Sequence, residues 1–130
     1  MNQDIDEILA QDMDAWTMIE IEGRMRYLAR EILKAAKGIE EAGDRYARAC
    51  NDHKNKYSQA MLKAKVTNAS WAAPLIEAQA HVDTKDEHLE MLLSKELKAA
   101  AKARMLAVEE ALSTVRSVNT NIRSTVAGGR

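Results

Sequence analysis

The stretch MIEIEGRMRYLAREILKAAKGIEEAGDRYARA, residues 18–49, decides the fold. Its apolar residues fall at Met18, Ile21, Met25, Leu28, Ile32, Ala35, Ile39, Ala42, Tyr46 and Ala49, alternating steps of three and four without interruption. An α-helix turns once in ~3.6 residues, so this spacing gathers them on one side as a heptad seam. Met18, Ile21, Met25, Leu28, Ile32 and Ile39 are its large members and the candidate oligomer seam. Past Ala49 a strict register would place His53 and Lys56 on the seam. The apolar character sits instead at Cys50, Tyr57, Met61 and Ala64, which predicts a shift of one position there. Gly38 and Gly43 each cost the helix about 1 kcal/mol relative to alanine, which predicts close approach of a neighbouring backbone, or a local kink, beside Ile39 and Ala42.

The pattern stops at Val66-Thr67-Asn68-Ala69-Ser70-Trp71-Ala72-Ala73-Pro74, where β-branched, Asn and Ser residues meet the single proline. Ser70 is the expected N-cap of a second helix, and Pro74 falls in its first turn, where a missing N–H is harmless. That helix carries Leu75, Ala78, Val82, Leu89, Leu93, Leu97, Ala100, Met105, Val108, Leu112, Val115, Ile122 and Val126, and Gly128-Gly129 ends it. Several consecutive steps of four predict a straighter helix whose packing partner changes along its length. Residues 1–14 read as a short acidic helix or arm.

The expected fold is therefore all-α: an arm over 1–14, then a long antiparallel, coiled-coil-like helical hairpin over 15–130, with helices at about 15–65 and 75–126 and a turn at 66–74. Such helices leave apolar surface uncovered, which predicts a homo-oligomer built as a dimeric four-helix bundle or something larger.

Composition agrees, with one Pro, no Phe and 4% aromatic residues, so thin seams between helices suit the inventory better than a thick core. The net charge of −1 conceals segregation: residues 1–22, 23–65, 66–90 and 91–130 carry −7, +6, −4 and +4. Antiparallel folding would bring the acidic 75–90 segment against the basic 50–65 segment. Cys50 is the only cysteine, so no disulfide forms within the chain, and a reducing compartment is expected. Neither a signal peptide at the N-terminus nor a run of ~18 apolar residues is present. The sequence thus predicts a cytoplasmic protein with no membrane association.

Few residues suggest chemistry. Cys50 and His53 are three apart, and His81 and His88 share a helical face, but the remaining ligands of a metal site are missing. No phosphate-binding loop or activated nucleophile is evident, so no catalytic, cofactor or metal site is assigned. Trp16 and Trp71, near opposite ends of the hairpin, are candidate interface anchors because tryptophan is enriched at binding hot spots. The basic middles of the helices offer Arg30, Lys34, Lys98 and Lys102 as candidate nucleic-acid contacts, with acids such as Glu31, Glu40, Glu41 and Asp44 interspersed.

In texture, Ser70-Trp71-Ala72-Ala73-Pro74-Leu75-Ile76-Glu77-Ala78-Gln79-Ala80-His81-Val82-Asp83 and Leu106-Ala107-Val108-Glu109-Glu110-Ala111-Leu112-Ser113-Thr114-Val115-Arg116-Ser117-Val118-Asn119 resemble the small helical accessory proteins encoded in the early or recombination region of tailed bacteriophages. The resemblance spans residues 65–125 and carries over no site residue. It implies an accessory factor in DNA recombination or evasion of host defence, working in the bacterial host cytoplasm. The expected function is non-enzymatic protein–protein binding by a homo-oligomer with a protein partner. The alternative is direct nucleic-acid binding by the basic middle.

Overall fold

The structure, a computed structural model, describes residues 18–128, with side chains through Ser124. The arm expected over 1–14 and the candidate anchor Trp16 lie outside the described residues. The described chain is all-α, with α1 Met18–Thr67, α2 Ala73–Asp83 and α3 Lys85–Gly128 and no strand among the described residues. It divides into two compact units: residues up to Ile39 together with those from Ala101, and the segment Glu40–Ala100.

Good helix formers and an absence of proline let α1 run for 50 residues, with Glu20 in its first turn and Lys65 in its last offsetting the helix dipole. Neither glycine is closely packed. A Cβ built at Gly38 or Gly43 would meet nothing within 4 Å, and neither residue has a positive φ, which corrects the expectation of a close backbone approach. Alanine at either position should then stabilise the chain by about 0.5–1 kcal/mol, by restricting the unfolded state and favouring helix. Thermal melts of Gly38→Ala and Gly43→Ala check this, and a lowered melting temperature would show that the space is used.

In the first unit, residues 18–39 of α1 pack against the part of α3 beyond Ala101. Ile21, Leu28, Val108, Ala111, Leu112 and Val115 form its buried core, with Met25, Tyr27, Ile32, Val118 and Ile122 packed against it. Glu31 lies level with Arg104, and Glu22, Met25 and Arg26 share a hollow with Asn119 and Arg123, so the two segments run antiparallel.

The second unit is a helical hairpin. Its first arm is α1 from Glu40, and its second is α2 followed by α3 to Ala100. The Asn68 N–H donates to the Ala64 carbonyl and the Trp71 N–H to the Asn68 carbonyl, both at 2.9 Å, and this closes the turn. Extended backbone at Ala72, rather than the Ser70 side chain, starts α2; no side-chain cap is made, and Pro74 occupies the first turn. A single residue, Thr84, separates α2 from α3. Its N–H donates to the Ala80 carbonyl at 3.1 Å and its carbonyl accepts from His88 at 3.0 Å, so the hydrogen-bond ladder is carried across. Its Oγ1 also donates to the Ala80 carbonyl at 2.7 Å, the side-chain back-bonding that bends helices.

Candidate functional site

Each of the ten seam positions from Met18 to Ala49 is buried or half-buried. Ile21 and Leu28 are covered completely by their own chain within the first unit, and Met18, Met25, Ile32 and Ile39 are half-buried. Past Ala49, His53 stays on the seam and the shift comes one step later, through Tyr57, Ala60 and Ala64, with Lys56 exposed.

The apolar positions expected along the second helix divide into two sets. Those of the first unit, Met105, Val108, Leu112, Val115 and Ile122, face inward. Those of the second unit face outward: Val82 is 69% exposed, Leu75 54%, Leu89 52% and Leu93 49%, with Leu92 and Leu97 also exposed. The inward face there is built from Ile76, Ala80, Thr84, Met91, Ser94 and Lys98. Ala80 and Ser94 are fully buried, so small side chains line the helix contact while leucines meet solvent. This reverses the usual amphipathic arrangement. Six large apolar side chains are thus left exposed along this one segment, and apolar surface gathered in that way commonly marks an interaction site.

Charge pairs lie on the inner flanks. Within the second unit, the Arg45 Nε donates to the Glu90 Oε1 at 2.8 Å, and the Ser94 hydroxyl donates to the same oxygen at 3.2 Å. The hydrogen bond from Arg45 holds the Glu90 carboxyl below its ordinary value of 4.5, with partial desolvation opposing and Ser94 and the charge of Arg45 assisting. Its partner, the Arg45 guanidinium, is raised for the same reason. A carboxyl depressed in the folded state contributes stability above its unfolded pKa and loses that contribution as pH falls through the folded value. Glu90→Gln should therefore flatten the acid limb of the stability profile below about pH 4.5 and leave its slope near neutrality alone. Urea midpoints measured across pH 3–7 check the sign, and an unchanged acid limb would remove the assignment.

In the first unit, the buried Glu31 accepts from Lys34 at 3.1 Å and from Arg104 at 3.4 Å. Lys34, a candidate nucleic-acid contact, is thus engaged by a carboxylate of its own helix. Arg30 and Lys102 are exposed in the same unit. Lys98 belongs to the other unit, where its ammonium sits 5.2 Å from the centre of the Tyr46 ring, a cation–π contact. The Tyr46 hydroxyl is raised above its ordinary value, first by a hydrogen bond with Cys50.

All three histidines gather in the second unit, a convergence that their separation in sequence did not announce. His53 lies 5.3 Å from His88 and 6.0 Å from Tyr57, and Tyr57 lies 5.0 Å from His81, all between ring centres. Among the described residues, no three or more His, Cys, Asp or Glu side chains are arranged to hold a metal ion. Trp71 lines an apolar groove of about 430 Å³ with Met61, Leu62, Lys65, Ala73 and Ile76. A second open cleft, about 510 Å³, mixes Arg45 and Arg48 with Glu41, Asp44, Asp52 and Glu90. No helix among the described residues is long and apolar enough to cross a membrane.

No protein-family model, curated protein or solved structure matches this chain.

Proposed function

We propose that this chain is a non-enzymatic helical protein that works by binding other protein surfaces, its own copies included, through the outward leucine face of the second unit. The supporting observation is the distribution of apolar residues there: leucines at Leu75, Leu89, Leu92, Leu93 and Leu97 are exposed, while the interior holds Ile76 and Met91 among the smaller Ala80, Thr84 and Ser94. Apolar area left in water costs about 25 cal/mol per Å², and covering it drives association. The resemblance of residues 65–125 to phage accessory proteins supports an accessory role in DNA recombination or in evasion of host defence.

Sedimentation of the wild-type chain beside the variant Leu89→Glu, Leu92→Glu tests this, with proteins captured from the bacterial host on each, with and without nuclease. The wild type should sediment above its 14.5 kDa mass, and the variant should fall to that mass and lose captured partners. A wild type that stays at monomer mass, together with capture indifferent to the variant, would overturn the reading.

A further inference from the structure

Along the outward face of α2 and α3, positions seven residues apart fall on two adjacent lines. Leu75, Val82, Leu89 and Glu96 form one line, and Ala78, Lys85, Leu92 and Ala99 form the other. Every one of these residues is exposed, so the second unit carries a second, outward-facing heptad seam as well as its internal one. Two charged residues stand on that seam, Lys85 and Glu96, and their positions select a partner.

We infer that the occupant of this face is a second copy of the chain, docked antiparallel about a two-fold axis passing between residues 90 and 91. The inference rests on the protein-binding reading above and adds the identity and register of the occupant. In antiparallel heptad packing, positions from one line meet positions from the other. This register sets Leu89 of each protomer against Leu92 of its partner. It also sets Val82 against Ala99 and Lys85 against Glu96. The two central layers are leucine, and an ion pair closes each side of them. A parallel, in-register pair would instead stack Lys85 on Lys85 and Glu96 on Glu96, like charges on a seam, which disfavours it. The flanking charge points the same way. Among exposed residues, Glu77, Asp83 and Asp86 accompany Lys85 before the axis and Lys95 accompanies Glu96 after it, so antiparallel pairing brings the acidic stretch of one copy to the less acidic stretch of the other. A two-fold axis repeats each contact, making the surface self-complementary and closed at two copies.

The test is a charge swap read by sedimentation equilibrium of the full chain, with helical content followed by circular dichroism. Lys85→Glu alone and Glu96→Lys alone should each weaken the dimer at least about tenfold, because each sets two like-charge pairs on the seam. The double variant Lys85→Glu, Glu96→Lys should return to near wild-type affinity. Single variants without effect, or a double variant weaker than either single, would overturn the register while leaving the protein-binding reading in place. A wild type that is monomeric, but loses captured host partners on Leu89→Glu, Leu92→Glu, would overturn self-association and keep that reading. A second measurement needs no charge change. In a Cys50→Ser background, mixing Leu89→Cys with Leu92→Cys should form an interchain disulfide faster than either variant alone, and faster cross-linking of Leu89→Cys to itself would place the copies parallel.

Discussion

Replacing Leu28 with alanine should lower the free energy of unfolding by roughly 2–5 kcal/mol, out of a total that for small proteins is commonly about 5–15 kcal/mol. Leu28 is fully buried in the first unit among Ile21, Val108, Ala111, Leu112 and Val115. Its neighbours are held in place by their own packing, and Ala111 cannot expand to fill the space. The lost contacts and the residual cavity therefore add. Leu33, five residues along the same helix, is 72% exposed, and its alanine variant should stay within about 0.5 kcal/mol of wild type. Urea unfolding followed by far-ultraviolet circular dichroism measures both. Equal shifts for Leu28→Ala and Leu33→Ala would mean that the seam of α1 is not the buried line described.

That seam could be read from sequence because large apolar residues at unbroken three-four spacing have a single helical interpretation. The inward face of the second unit could not. Ala80, Thr84 and Ser94 are small residues whose types recur on exposed positions such as Ala78, Thr67 and Ser58, so nothing in their identity reports burial. Leucine dominated the pattern and drew attention to Leu75, Leu89 and Leu93, which face outward. Glycine misled in the same direction: Gly38 and Gly43 suggested tight packing where the structure leaves open space. Block charges placed the acidic 75–90 segment against residues 50–65, whereas the ion pair that Glu90 makes is with Arg45, outside that stretch, because the pairing depends on a register that composition cannot fix. Glu31 looked like one of several acids interspersed on a solvated face, yet it is the buried carboxylate that joins Lys34 to Arg104. The histidine and tyrosine cluster is a tertiary product, since His53 and Tyr57 lie on α1, His81 on α2 and His88 on α3.

The second large effect is expected at the outward face, and it has the opposite signature from Leu28. Changing Leu89 and Leu92 to glutamate should abolish self-association while leaving the folded monomer near its wild-type helical content. Both side chains are exposed in the monomer, so their removal opens no cavity there. In the proposed antiparallel dimer each would form a central layer, and covering the exposed half of a leucine contributes about 1 kcal/mol. Four such leucines per dimer amount to roughly 4 kcal/mol, or about a thousandfold in dissociation constant. Four new carboxylates facing one another on the same seam weaken it further. Thermal unfolding provides an independent readout, because association stabilises the folded chain by mass action. The wild-type melting temperature should rise with protein concentration, and that of the variant should not. A variant that lost its helical signal at low concentration would show that these leucines support the fold of a single chain. A wild-type melting temperature independent of concentration would leave the leucine face without a second copy to cover it.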